Sequence, residues 1–280
     1  MRPQKILLYA LMTAIAVLMV APLVWMIATS LKPEEEIRNS LFSFTSPTTT
    51  VENYGRLFGR VYKPDEKPIA FPVGRWLFNS VFISSMATLS VLTLSSMAAF
   101  AFSRLKFRGR EPLFYLLLAT MLVPGQVSLI PVFLIVSKLG LFDTYAGVIV
   151  PGLGNAFGVF LLRQFFARIP HELEEAAVLD GASVPRIYWN VIMPLAKPAL
   201  ATLGIFTFIG SWNDFVWPLL VTSDVEMRTL PVGLNIFQGQ FSTTYGITMA
   251  AAVITTIPMI AAFLIFQRRI TEGIALTGLK

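Results

Sequence analysis

Residues 169–194 read IPHELEEAAVLDGASVPRIYWNVIMP, a polar, proline-bounded stretch between apolar blocks at 145–166 and 199–221. Pro170 stands where a helix can open, because the first turn leaves its N–H groups unused. Glu172, Glu174 and Glu175 follow at the positive end of that helix's dipole. Gly181 stops the helix, since glycine takes positive φ without steric cost. Ser183 suits the cap of a second helix, and Pro185 suits its first turn. The reading is two short helices joined at a glycine elbow. Ala176 and Ala177 are small enough for a partner's backbone to approach, and Glu175 beside them can pair with a partner's arginine or lysine. The same residues also suit an interfacial amphipathic helix with a solvated acidic face, and their order alone does not choose between the two.

The flanking blocks belong to a series. The chain's 280 residues are 55% hydrophobic and 14% charged, with a mean hydropathy of +0.68, which is too little charge for the surface of a soluble domain. The apolar residues gather in blocks of roughly 20, the length of a bilayer-crossing helix. Six spans are expected, at 6–29, 76–102, 112–136, 145–166, 199–221 and 247–266. The expected fold is an all-α integral membrane protein of six transmembrane helices, a single membrane domain over 1–280. Arg2 and Lys5 precede a first block too long for a signal-peptide core, which reads as an uncleaved span.

Short basic segments set the orientation. Arg104, Lys106, Arg108 and Arg110 lie between spans two and three, Arg163, Arg168, Arg186 and Lys197 between four and five, and Arg268 and Arg269 after span six. All fall on one side of a six-span chain, so the positive-inside rule puts both termini in the cytoplasm of a bacterial or archaeal cell. The loop at 31–75 is then external and the elbow loop at 168–197 cytoplasmic. The glutamates Glu34, Glu35 and Glu36 read as a solvated exit from span one. Pro22, Pro124, Pro131, Pro151, Pro218 and Pro258 lie inside spans, as kinks or as bends beside a cavity. This placement accounts for the net charge of +6 without a nucleic-acid partner. Cysteine is absent and His171 is the single histidine, so disulfides, thiolate metal sites and histidine clusters are excluded.

Glu175-Ala176-Ala177, three residues, Gly181, nine residues, Val191, one residue and Met193-Pro194 resembles the EAA signature of ATP-binding-cassette importer permeases. Where the family usually has isoleucine and leucine, this chain has Val191 and Met193. The likeness extends over nearly the whole chain toward the MalG-type permeases of carbohydrate uptake family 1. It is carried by Pro22-Leu23-Val24-Trp25-Met26, Thr29-Ser30-Leu31-Lys32-Pro33, Ala99-Phe100-Ala101-Phe102-Ser103-Arg104, Leu139-Gly140-Leu141 and Trp212-Asn213-Asp214-Phe215. The resemblance implies the type I importer permease fold and a sugar or oligosaccharide as cargo, moved by alternating access. It implies ATPase docking by Glu174, Glu175, Ala176, Ala177, Asp180, Gly181, Ala182 and Pro194. It implies a second contact by the tail residues Gly278, Leu279 and Lys280, for which a frayed end is the plain alternative.

Trp212, Asn213 and Asp214 stand out on their own chemistry. An ionisable group in a span needs a cavity or a partner, and a tryptophan beside amide and carboxylate groups suits a sugar. An interfacial anchor with a polar helix–helix bond suits them better than direct sugar contact does. Asn155, in the glycine-rich fourth span, is a further candidate for the substrate pathway.

The chain has no G-x-x-x-x-G-K-[ST] loop, no metal-ligand spacing and no catalytic triad pattern. A non-catalytic subunit is expected, with no cofactor of its own and with ATP and magnesium bound by a partner. The implied partners are a second, MalF-type permease, two ATPase subunits, an extracytoplasmic solute-binding protein and membrane lipid. The rivals are the same machinery carrying another solute such as glycerol 3-phosphate, and a stand-alone secondary transporter, which would show repeats and charged midplane sites.

Overall fold

The structure, a computed structural model, describes residues 3–39, 43, 47–59, 71–239 and 244–278. Among them the regular structure is helical throughout: α1 (Pro3–Ser30), α2 (Glu34–Asn39), α3 (Glu52–Leu57), α4 (Val73–Arg104), α5 (Arg110–Thr120), α6 (Gly125–Lys138), α7 (Tyr145–Ile149), α8 (Ala156–Phe166), α9 (Glu172–Leu179), α10 (Val184–Ile187), α11 (Met193–Leu195), α12 (Lys197–Asn213), α13 (Val216–Val221), α14 (Leu230–Leu234), α15 (Ile236–Gly239) and α16 (Tyr245–Gly278). The chain divides into two compact units, Met1–Trp76 with Leu230–Met259, and Leu77–Thr229 with Ile260–Lys280.

Three helices, α1, α4 and α16, are each long and apolar enough to cross a bilayer alone. The other three expected spans are broken. The pair α5 and α6 bends by 97° and the stretch Tyr145–Gly152 meets α8 at 48°, while the fifth span is interrupted at Asp214 and, ahead of it, the stretch Val184–Leu195 meets α12 at 78°. Counting each bent pair once gives up to six spans, and the bends at 112–136 and 145–166 accord with the in-span prolines Pro124 and Pro151. The breaks have local causes. Pro124 stands extended before α6 and has no N–H to lose there. Asn155 is extended before α8 and its Oδ1 accepts from the Gly158 N–H at 2.7 Å. Span five stops at Asn213, and Asp214, itself extended, accepts from the Trp217 N–H at the start of α13. By contrast Pro22, Pro131 and Pro258 sit inside continuous helices.

In the first unit, Asn53 donates to the Ser30 and Lys32 carbonyls at 2.9 and 2.8 Å, covering orphan acceptors where α1 ends. Glu34 corrects the reading of a solvated exit. Its side chain is only 9% exposed, and its two oxygens accept the Tyr245 and Gly246 N–H groups at 3.0 and 2.9 Å. It caps the start of α16 from 211 residues away, where a carboxylate is favoured by the helix dipole. Gly233 packs on Trp76 so closely that a Cβ would stand 2.2 Å from the ring.

The second unit is built around α4. A stripe of buried small and polar residues, Asn79, Ser80, Ser84, Ser95 and Ser96, lets neighbours approach its backbone. Gly158 of α8 meets Ser95 there, with room for no Cβ. At one end Asn79 donates to the carbonyls of Glu226 and Arg228, and Tyr145 donates to Asn79 at 2.7 Å. Nearby Asp143, at φ 55°, accepts from the Ser223 and Asp224 N–H groups and from the Ser223 hydroxyl. Partial burial pushes its carboxyl up, but these hydrogen bonds and the positive field of Arg228 outweigh that and hold it below the usual range. At the other end Arg163 of α8 forks onto Glu111 at 3.0 and 3.1 Å and lies over the Phe114 ring.

Two outcomes follow for this unit. A Cβ on Gly147 would fall 2.1 Å from the Leu141 carbonyl oxygen, so Gly147→Ala should lower the melting temperature in detergent by several degrees, a cost of about 1–3 kcal/mol. For Asp143 the depressed carboxyl contributes stability that is complete above the unfolded pKa of about 3.9 and is lost as pH falls through the folded value. Asp143→Asn should therefore melt lower than wild type at pH 7, and the gap should begin to narrow below about pH 4 and close as pH falls through the depressed folded value; a gap that does not narrow at all on acidification contradicts the assignment.

Candidate functional site: the elbow, its anchor and the cavity

The elbow forms as its sequence dictates. Helix α9 starts after Pro170, with the Glu174 and Glu175 N–H groups bonded to the His171 carbonyl. It ends in two reverse bonds, Gly181 N–H to Val178 O at 2.9 Å and Ala182 N–H to Ala177 O at 2.8 Å. This is the Schellman arrangement, and Gly181 at φ 77° is the left-handed residue it needs. Ala177 and Ala182, the residues that accompany it, pack on one core cluster with Leu162, Phe166, Ile187 and Ile192. Ser183 is extended at the cap position of α10, as expected, but its side chain makes no cap bond. The second arm then widens into a π turn, Tyr188–Ile192, just before Pro194. A proline there cannot donate to the carbonyl four residues back and its ring crowds it, and a wider turn relieves both.

The expected docking residues separate into two faces. Glu175, Ala176, Asp180, Gly181 and Pro194 are exposed, whereas Glu174, Ala177 and Ala182 are partly covered by the chain itself. Beside the exposed set stand apolar residues that the sequence reading passed over: Val178, Leu179 and Val184, with Leu179 88% exposed. Clustered exposed hydrophobics of this kind mark partner surfaces.

The covered face is held by Arg104, the last residue of α4, whose side chain is 1% exposed. Its Nε stands 3.0 Å from Glu174 Oε1, a charge contact without the alignment of a hydrogen bond. Its Nη2 donates to the carbonyls of Phe166 and, at 2.6 Å, Ile169. Its Nη1 lies 3.0 Å from both ring nitrogens of His171. Removing one partner of a buried charge pair typically costs about 3–5 kcal/mol, because the other charge stays buried. On the second arm the Tyr188 hydroxyl meets Ser96 at 2.7 Å, both buried. In the sequence Arg104 counted as a charge of the basic loop and as the end of a stretch carrying the resemblance; its facing of the elbow across the fold has no local signal.

A cavity of about 420 Å³ lies between α4, α6, the α7–α8 bend and α12–α13. Ser128, Asn155, Thr207, Ser211 and Asp214 give it polar walls, and Ile83, Ala87 and Val91 of α4 contribute an apolar one. Of the four pathway candidates, Asn155 and Asp214 are brought together here. Trp212 is 1% exposed and stacks on Phe208, and Asn213 is exposed and not part of the lining. No His, Asp and Glu grouping fit for a metal ion occurs among the described residues. Of the tail residues, Gly278 closes α16, while Leu279 and Lys280 lie outside the described residues.

Residues 91–275 match the family described as the binding-protein-dependent transport system inner membrane component. The arabinooligosaccharides transport system permease protein AraQ of Halalkalibacterium halodurans is 34% identical, over 95% of this chain and 93% of its own length. The trehalose/maltose transport system permease protein MalG of Thermococcus litoralis is 34% identical, over 99% and 97%. A crystal structure of a bacterial ABC transporter involved in the import of the acidic polysaccharide alginate contains a chain with a TM-score of 0.80 and 27% identity, covering 95% of this chain and 96% of that one. With helices that cross the bilayer, an elbow carrying the EAA spacing and a match over more than half its length, the chain belongs to the binding-protein-dependent inner membrane component family, as a multi-pass permease subunit of an ABC importer.

Proposed function

We propose that this permease imports a sugar or oligosaccharide delivered by a solute-binding protein, and that its elbow docks a separate ATPase subunit on the cytoplasmic side. One observation carries the docking role: a rigid elbow presents Val178, Leu179 and Val184 bare beside Glu175 and Asp180. An apolar tip edged with carboxylates fits a cleft with apolar walls and a basic rim. Glu174, Ala177 and Ala182 then hold the elbow in place, while Glu175, Ala176, Leu179 and Asp180 make the contact. The absence of a phosphate loop from the sequence supports assigning ATP and magnesium to the partner. The basic segments support cytoplasmic termini.

The cargo reading draws on the relatives, whose names specify arabinooligosaccharides and trehalose or maltose. The cavity supports it in kind, since hydroxyl, amide and carboxylate groups on a mainly apolar wall suit a neutral polyol. ATP-driven closure of the ATPases moves the elbows, the spans reorient around the cavity, and solute taken from outside is released inside.

Two elbow variants test docking in the reconstituted importer. Gly181→Pro replaces a φ of 77° with one near −65° and removes the N–H that bonds Val178. Glu175→Lys reverses the charge at the contact. Both should insert normally, yet lower binding-protein-stimulated ATP hydrolysis by about tenfold or more, which corresponds to roughly 1.4 kcal/mol at the interface. Unchanged stimulation in both variants would refute the docking role. Uptake by this chain alone in vesicles, without any ATPase, would refute the importer reading. Competition of labelled oligosaccharide uptake by glycerol 3-phosphate separates the two cargo classes.

A further inference from the structure

Helix α4 differs from every other span. It runs 32 residues without a proline or a break, whereas α1 and α16 contain Pro22 and Pro258 and the remaining spans are bent pairs. Its middle turns, through Ile83, Ala87 and Val91, wall the cavity. Its basic end meets both arms of the elbow, α9 through Arg104 and the π turn through Ser96 and Tyr188. One stiff element therefore joins the elbow to the cavity wall.

We infer that Arg104 is a positioning residue that clamps α9 to the end of α4, so that displacement of the elbow is delivered to the helix that walls the cavity. The inference rests on the docking role proposed above. The chemistry of the clamp requires arginine. A guanidinium presents five donors in a fixed plane, and here they are divided among three sets of partners: the Glu174 carboxylate, the Phe166 and Ile169 carbonyls, and the His171 ring. Those carbonyls belong to the last turn of α8 and to the link into α9, acceptors that a helix end leaves without intrahelical donors. The clamp thus ties α4, the end of α8 and the first turn of α9 at one point. The Tyr188–Ser96 bond, two turns back along α4, prevents the elbow from swivelling about that point.

The test uses the assembled importer in lipid, with its ATPase, partner permease and binding protein. Arg104→Gln should retain the ATPase on the complex and keep its stimulated hydrolysis, but solute moved per ATP should fall by about tenfold, the effect of losing one charge-assisted interaction of ordinary size. Arg104→Lys should recover only part of this, since an ammonium cannot reach all three sets of partners. Glu174→Gln, which leaves the two carbonyl bonds in place, should give a smaller fall, and adding it to Arg104→Gln should cost nothing more. The chain has no native cysteine, so Glu172→Cys on α9 with Met86→Cys on α4, both exposed and outside the contact set and the cavity lining, can carry two spin labels. Their separation should stay narrow through the nucleotide cycle in otherwise wild-type chain and broaden in Arg104→Gln. Wild-type transport per ATP in both Arg104→Gln and Glu174→Gln overturns the clamp. So does parallel loss of ATPase retention and hydrolysis in the two variants, which would mark a purely architectural pair. The docking role is judged separately by Glu175→Lys and Gly181→Pro. If those two lose stimulation while Arg104→Gln transports normally, the clamp alone fails.

Discussion

A peptide backbone inside hydrocarbon has no water to bond, so each interruption of a helix there must find its own donors and acceptors. The second unit meets this constraint at three of its breaks. Pro124 brings no N–H to the break before α6. Asn155 supplies an oxygen to the start of α8, and Asp214 does the same for α13. Gly125, Asn155 and Asp214 all line the same cavity, and so do Pro151 and Gly152 beside Asn155. Irregular backbone is tolerated at membrane depth where it lines a cavity, and these three interruptions converge on one. The groups that repair the backbone are thus the groups that make the cavity polar.

This convergence explains what was legible in the sequence and what was not. The long apolar runs of α1, α4 and α16 are set by length and composition alone, and they lie where hydropathy puts them. The breaks are not set that way. Pro131 sits within a continuous α6 while Pro124 stands at the break before it, and the residue type alone does not distinguish the two. The elbow was legible because caps and stops are local: Pro170, Gly181 and Pro185 decide it within a few residues. Glu34 and Arg104 were not, because their partners lie 211 and about 70 positions away. A carboxylate after a span looks solvated and an arginine after a span looks like a topogenic charge, until the fold brings a helix end to each. Of the polar residues in span five, Asp214 reaches the cavity and Trp212 does not, since one break in the helix decides which of two neighbours turns inward.

The elbow's two faces also clarify what its motif encodes. Ala177, Gly181 and Ala182 are accounted for by the Schellman turn and its packing against Phe166 and Ile187, with no partner invoked. Only the outward residues need one. A motif read as a binding sequence is therefore half a folding instruction. The folding half fixes the angle at which the outward half is presented.

The proline-free run of α4 has a consequence in terms of leverage. The helix rises about 20 Å between Val91 at the cavity and Arg104 at the elbow. An unbroken rod of that length tilts as a whole, so a swing of about 10° at one end carries the other by roughly 3 Å, close to a carbon–carbon contact distance. The bent neighbours can absorb such a swing at their breaks. The stroke of the machine is then set by the stiffness of one helix, and a single proline placed along it would turn a lever into a joint.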